Sequence, residues 1–331
     1  MNVSVVIPNH NYAKTLGRCL RSVQRQTVPP IEVIVVDDCS TDDSVRIAEA
    51  AGATVIRHPV NRGVSAARNT GVAASRGDVI FFLDSDVALA PDAIEQALRV
   101  LAGDPDCGCA FGVYGPEPLI DDGPVERHRV LHLHFALTRQ VGRTDTAVFA
   151  LAAVPRRVLD DIGGFDERLR SAEDDEISER LRERYHIRLT DTVVGFHDEV
   201  DRLPDALHEQ YRRAQLIPFS ARNRMRRAGL AINRTGGVAA VALMLATLPL
   251  GLADPALLAV PGALLAAFAV ADPPLSRFVA RRKGWPYLAY FTGVNLLLHL
   301  AMLAGCARGL LRILTDPTFG PSRRVTIGAT S

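Results

Sequence analysis

Two aspartates one residue apart, Asp84-Ser85-Asp86, follow directly on the apolar run Val79, Ile80, Phe81, Phe82 and Leu83. Like charges at a strand end repel each other, so the pair calls for a counter-charge, and a divalent cation is the simplest. The chain turns where a strand ends, and there acids at i and i+2 can converge on one ion and its ligand. Magnesium or manganese in such a place keeps waters, one or two carboxylates and the oxygens of a substrate diphosphate. A second acidic pair, Glu173-Asp174, stands at the start of a helix within "SAEDDEISERLRERY" (171–185), whose buried stripe is marked by Ile177 and Leu181. A carboxylate in the first turn of a helix is favoured in its ionised form. A third pair, Asp37-Asp38, ends the run "IEVIVVDD" (31–38), and His197 closes a strand-like run from Thr190.

Such residues need a frame, and the first two hundred residues alternate between two hydrophobic periods. Strands are expected at 3–8, 31–38, 53–58 and 78–83. Helices are expected around Leu16, Cys19, Leu20 and Val23, after "STDDS" (40–44) with Ser40 or Thr41 as cap, over 63–75, and from Pro91. Regular alternation predicts an α/β layered domain with a mainly parallel sheet. Such sheets bind ligands at the carboxyl ends of their strands. Those ends carry Pro8-Asn9-His10, Asp37-Asp38 and Asp84-Ser85-Asp86, so the three clusters should meet on one edge.

Four stretches in series, "VVIPNHNYAKTLGRCLRSVQRQTVPPIEVIVVDDCSTDDS", "NRGVSAARNTG", "FFLDSDV" and "IGGFDERLRSAEDDEISERLR", resemble glycosyltransferase family 2 over roughly residues 3 to 200. The resemblance implies a GT-A (Rossmann-like) nucleotide-sugar-binding domain and inverting transfer of a sugar from a nucleotide-diphosphate donor, with Mg2+ or Mn2+. It implies a nucleotide cradle at Pro8, Asn9 and His10, and a contact from Asp38 to the base. Arg68 would lie near the nucleotide, Asp84 near ribose or metal-bound water, and Asp86 on the metal. Asp174 would be the catalytic base with Glu173 beside it, the glycines of "GGFDE" (163–167) turning both towards the donor. His197 is similar to a histidine near the metal and phosphates. Asp37 reads as a structural acid satisfied by backbone N–H groups.

Two places depart from the family pattern. "EQYRRAQ" (209–215) resembles a Q-x-x-R-W signature of processive synthases at Gln210 and Arg213, but Ala214 stands at the tryptophan position, which favours a single transfer. His128, His132 and His134 in "ERHRVLHLHFAL" (126–137) have a spacing that zinc could use, but the better reading is an acceptor-side surface.

A formal net charge of +1 gives no basic field for nucleic acid. The five cysteines are scattered and suit reduced thiols, and the amino terminus has no basic region typical of a signal peptide. From about Gly236 the character changes. The uncharged runs 236–253 and 255–271, the latter interrupted by Pro261, and the run 287–307 read as two or three hydrophobic helices. Arg-rich segments lie before Gly236 and at "SRFVARRKGW" (276–285). By the positive-inside rule these face the cytoplasm. The third run, holding Asn295 and His299, either spans or lies within the interface. Residues 1–220 are thus expected to be the catalytic domain and 221–331 a transmembrane helical region of a multi-pass cell-membrane protein. The implied partners are a nucleotide-diphosphate sugar, the membrane and a lipid-linked or membrane-proximal acceptor. A nucleotidyltransferase would share the sheet and the metal acids but leaves Glu173-Asp174 without a task. A non-catalytic nucleotide-sugar sensor predicts binding without turnover.

Overall fold

The computed structural model describes residues 1–218, 235–316 and 319. The arginines between Arg222 and Arg234, together with Arg323 and Arg324, lie outside the described residues, as does the expected boundary at 220.

The sheet is built around β1 (Val3–Asn9), every residue of which is buried. Continuous burial follows from its central place, with helices on the faces and parallel neighbours on both edges. After α1 (Ala13–Gln24), whose buried stripe is Thr15, Leu16, Cys19, Leu20 and Val23, comes β2 (Glu32–Asp37). Then follow α2 (Ser44–Ala50), β3 (Thr54–Arg57), α3 (Val64–Ala74), β4 (Val79–Leu83), β5 (Val87–Leu89), α4 (Ala93–Gly103) and β6 (Cys107–Tyr114). α5 (Pro124–Thr138), β7 (Gly142–Thr144), β8 (Leu151–Pro155), α6 (Arg156–Ile162), α7 (Glu173–Arg182), β9 (His186–His197) and α8 (Leu203–Ala214) complete this part. The strand order is β3-β2-β1-β4-β8-β6-β9-β5, with β7 on β9.

β1 pairs in parallel with β2 and β4, so Asn9 stands opposite Asp37 and the Asp84 turn leaves on the same edge. The three polar clusters do meet. The sheet is mixed rather than mainly parallel, because β8 runs antiparallel to both β4 and β6. An apolar run such as "LAAVP" carries no directional information, and β8 is reached through α5 and β7 rather than by a strand–helix–strand crossover.

α3 lies so close to β1 that a Cβ at Gly71 would meet Val6 Cγ1 at 2.3 Å, which explains its small residues. β9 is the long strand. Between Gly112 and Val113 its pairing with β6 jumps from Thr190 to Val194. The extra residues form a bulge, and a Cβ at Gly112 would meet Val193 O at 2.2 Å. Beyond the bulge, β9 pairs antiparallel with β5 and sets His197 opposite Val87.

α2 starts at Ser44, not at a Ser40 or Thr41 cap. Ser40 Oγ instead accepts from Asn11 N (2.9 Å), and Asp42 accepts from Ala13 N (2.9 Å). Both side chains tie two loops together, and Asp42 Oδ1 also accepts from Ser44 N (3.0 Å) at the start of α2.

The apolar runs also fold differently from expectation. The first gives α9 (Thr235–Thr247) and a 3₁₀ turn (Leu248–Leu252). The second gives a 3₁₀ turn (Pro255–Leu258) and α10 (Ala259–Ala269), with Pro261 inside the first turn of α10 rather than at a break. α11 (Pro273–Lys283) follows at a 64° bend, then α12 (Trp285–Thr315). Among the described residues α12 alone is long and apolar enough to cross a bilayer, or two spans if the bent pair counts as one. The run that looked least suited to span has the best length, and a multi-pass arrangement is not supported.

Candidate active site

At the carboxyl edge of β1, β2 and β4 a cleft of about 230 Å³ opens, walled by Pro8, Asn9, His10, Asp38, Asp84 and Asp86, with Tyr12, Asn61, Gly63 and Val64 closing its sides. All six of these expected residues are therefore brought together. Asn9 donates to Asp37 Oδ1 (3.1 Å) and to Ser40 Oγ (3.2 Å). Asp37 is 1% exposed and accepts from Ser40 N (3.1 Å), as a structural acid should. Asp38 is almost as buried. It accepts from Arg62 N (2.7 Å) and Gly63 N (2.6 Å) and faces His58 Nδ1 (2.7 Å), so it fixes the loop that walls the cleft.

Arg68 is the hinge of the arrangement. It is 2% exposed, reached from α3, and donates from Nη2 to Asp84 Oδ1 (3.1 Å) and from Nη1 to Asp174 Oδ1 (3.0 Å), with Glu173 Oε1 at 3.8 Å. A buried guanidinium thus joins the strand-end acid to the helix-start acids. Burial would lower its pKa, but Asp84, Asp174 and Glu173 outweigh that and hold it above its ordinary value. Its ring-side neighbour is Phe165, 5.2 Å away.

Asp174 lies in the first turn of α7, 27% exposed, and its Oδ2 accepts from Phe149 N (3.3 Å). Desolvation raises its pKa most; Arg68 opposes this, and Glu173 and Asp84 add to it, for a value of about 7. A carboxylate poised there exchanges protons readily at neutral pH. The lead-in loop is shaped as the glycines suggest: Gly163 has φ +76°, and a Cβ at Gly164 would meet Asn69 Oδ1 at 2.5 Å. Asn69 grips this loop, accepting from Phe165 N (2.8 Å) and donating to Phe165 O (2.9 Å).

Asp86 and His197 form the other corner. His197 Nε2 lies 3.5 Å from Asp86 Oδ2, and Asp198 N donates to Asp86 O (3.0 Å). Asp86 Oδ1 is buried with no hydrogen-bond partner among the described residues. Its neighbour Asp84 is pushed up by desolvation, partly offset by Arg68. A carboxylate oxygen left without a donor beside an imidazole, on a cleft wall, is a donor set that fits a hard divalent cation completed by waters and phosphate oxygens. No cluster of three or more His, Cys, Asp or Glu side chains is preassembled among the described residues, so this corner offers two ligands at most from its own side chains.

Four residues behind this corner, Tyr114, Arg129, Glu199 and Glu209, carry no role in the sequence analysis. His197 Nδ1 is 3.2 Å from Glu199 Oε1, and its ring stacks on Tyr114 at 4.9 Å. Glu199 Oε2 accepts from Arg129 Nε (2.7 Å), and Arg129 Nη2 reaches Glu209 on α8 (3.0 Å). Burial alone would raise the Glu199 pKa; His197 and Arg129 overcome it and hold the carboxyl at about 2. The alternation His197-x-Glu199 at a strand end was the available signal, the same i, i+2 spacing that marked Asp84 and Asp86.

Of the histidine run, His128 is buried rather than on an acceptor-side surface, and His132 and His134 are half-buried. His128 is 0% exposed, bonded through Nε2 to Asn295 Oδ1 (3.1 Å) and packed 4.2 Å from the Phe291 ring, while His134 Nδ1 meets Tyr114 O (2.7 Å). α12 covers this face, and sequence spacing could not place α12 there. Ala214, at the expected tryptophan position, is likewise buried, against Gly305 of α12.

Residues 4–163 match the profile described as Glycosyl transferase family 2. An uncharacterized glycosyltransferase of Haemophilus influenzae is 29% identical over 52% of this chain and 59% of its own length. A pre-mycofactocin glycosyltransferase of Mycobacterium tuberculosis is 30% identical over 76% of this chain and 54% of its own. The chain thus spans little more than half the length of these relatives. Among solved structures, a mannosyltransferase of Pyrobaculum calidifontis, in complex with GDP-Man and Mn2+, superposes with a TM-score of 0.57. It is 24% identical, and the match covers 93% of this chain and 87% of that one.

Proposed function

We propose, from the premise that this chain belongs to glycosyltransferase family 2 and has the GT-A fold, that it transfers a sugar from a nucleotide-diphosphate donor to an acceptor hydroxyl with inversion. The observation that carries this reading is the Arg68 bridge, which holds Asp84 of the cleft and Asp174 of α7 on one guanidinium.

In this reading the cleft takes the nucleotide between Asn9, His10 and the Asp38-braced loop. Asp86, with its unpartnered oxygen, and His197 would hold Mg2+ or Mn2+, and the ion when bound offsets the charge developing on the departing diphosphate. Asp174 takes the proton of the acceptor hydroxyl onto a carboxylate oxygen as that hydroxyl oxygen bonds to the anomeric carbon. The bond from that carbon to the diphosphate breaks on the opposite face. Arg68 keeps Asp174 anionic enough to act and oriented by its second contact at Phe149 N. Glu173 supports the base, and Ala214 in place of an aromatic platform supports a single transfer.

Residues 1–220 are the catalytic part of this proposal, placed at the cytoplasmic face, and 221–331 the part that meets the membrane. Exposed leucines on α9, α10 and their connecting turns support a membrane site, and hence a lipid-linked or membrane-proximal acceptor. Detergent-purified protein with manganese, screened with UDP-, GDP- and dTDP-sugars, should release nucleoside diphosphate from one donor. Asp174→Asn should lower kcat by about 10²–10⁴-fold, and Asp86→Ala should abolish release. Release of pyrophosphate from a nucleoside triphosphate, or binding with no turnover once membrane lipid extract is added, would overturn the reading.

A further inference from the structure

By length and composition α12 qualifies as a span. Its packing speaks against that. Its buried positions are Phe291, Val294, Leu298, His299, Met302, Gly305 and Gly309; all but His299, whose ring meets Phe268 of α10 at 5.2 Å, lie three or four apart and form one stripe along the helix. The catalytic part covers that stripe. Phe291 packs with Leu131 and the His128 ring, and Val294 and Leu298 pack with Val125 and Ala206. Further along, a Cβ at Gly305 would meet Tyr211 O at 2.3 Å, and one at Gly309 would meet Gln215 O at 2.1 Å. Arg312 Nη1 donates to Gln215 Oε1 at 3.3 Å.

These contacts run from Phe291 to Arg312, about 30 Å at 1.5 Å per residue. That is the whole thickness of a bilayer core. The helices that make them are polar: α8 carries Asp205, Glu209, Arg212 and Arg213, and α5 carries Glu126, Arg127 and Arg129. α12 could stand across a bilayer only by taking these charges into hydrocarbon or by releasing its buried stripe.

The segment from α9 to α10 is the reverse case. Apart from Asp254 at the bend it is uncharged from Thr235 to Ala269. Leu243, Leu245, Leu252, Leu258 and Leu265 point outward, Leu252 at the bend being 91% exposed. Basic residues at the end of α11 mark where lipid should stop, and two of them are tied to the catalytic part, Lys283 and Arg282 lying 3.3 and 3.7 Å from Glu117.

We infer that α12 does not cross the membrane but lies along the catalytic part, and that the hairpin Thr235–Ala269 is the segment that enters lipid. Both sides of α12 then stay with the catalytic part. The inference rests on the membrane reading above and adds a topology to it.

Proteoliposomes reconstituted with the full chain, carrying one epitope before Met1 and another after Ser331, test it by flotation and added protease. Both epitopes should be cleaved together. For depth, Trp285, the single tryptophan, is replaced by Phe and Leu252→Trp introduced at the exposed bend. Acyl-chain-brominated lipids should quench the new tryptophan several-fold more than native Trp285. Protection of the carboxyl-terminal epitope while the other is cleaved would show that α12 crosses and overturn the inference, leaving the membrane reading intact. Flotation without quenching at position 252 would overturn the hairpin. Failure to float would remove the membrane reading itself.

Discussion

At the scale of single residues, the site is a set of charges that need one another. Arg68 is the one cation among the influences on Asp174 and acts against desolvation and two nearby acids. Arg68→Met should therefore raise the Asp174 pKa above about 7. The base works ionised, so activity rises with pH through that pKa, and the acid limb of donor turnover should sit near pH 7 in the parent chain and move up in the variant. A pH profile of nucleoside diphosphate release reads this directly; a limb that stays in place would mean Asp174 is not the titrating base. Glu199 acts one step further out. It meets Nδ1 of His197, the ring nitrogen turned away from Asp86, so Glu199→Gln should weaken Mn2+ affinity by about 10–100-fold, measured by electron paramagnetic resonance of free Mn2+. An unchanged affinity would leave Glu199 a structural acid. The acids and Arg68 were legible because unusual residues at strand ends and helix starts stand out from their apolar surroundings. Glu199 and Arg129 were not, since their meaning depends on a contact across 70 residues of chain.

At the scale of elements, chain order could be turned into a binding edge because parallel strands carry their carboxyl ends to the same side. β1, β2 and β4 obey that rule, which is why chain order alone places Asn9, Asp37 and Asp84 together. β8 and β5 do not follow from it. Their apolar runs fit either direction, and their antiparallel pairing is decided by what reaches them in space. Close approach was only half readable: the small residues of α3 signalled it, but not its target. Gly71 supplies the test. A methyl there meets Val6, a branched core side chain with little room to move, so Gly71→Ala should destabilise by about 1–3 kcal/mol. Gly103, at the end of α4 with open space at its Cβ position, is the matched control. Gly103→Ala should be neutral or stabilising by up to about 1 kcal/mol. Urea titrations of both variants in one detergent compare them, and equal stabilities would show that α3 can shift off β1 at little cost.

At the scale of the whole molecule, composition divides the chain near Gly236, whereas packing runs across that division. The apolar runs were legible as runs; which of them faces lipid was not, because hydropathy is the same for a helix that meets a protein and one that meets a membrane. The small-residue pair Gly305 and Gly309 was the available hint that α12 meets another backbone. Two deletions separate the roles. A fragment ending at Pro218 uncovers Val125, Leu131, His128 and Ala206, all now under α12. Each large apolar side chain so exposed gives up about 1.5–3 kcal/mol of burial, a large share of the stability of any domain. That fragment should sediment as aggregate and release no nucleoside diphosphate. The hairpin can be removed differently, because its two ends meet: a Cβ at Gly237 would lie 3.6 Å from the Phe268 ring. Replacing 238–267 by a short Gly/Ser linker keeps α11 and α12 on the catalytic part and discards the exposed leucines. This chain should stay in the supernatant without detergent and keep slow donor hydrolysis, while losing flotation with vesicles. If instead the 1–218 fragment is the soluble, active one, α12 contributes nothing to the catalytic part, and its stripe must have been buried for a reason other than stability.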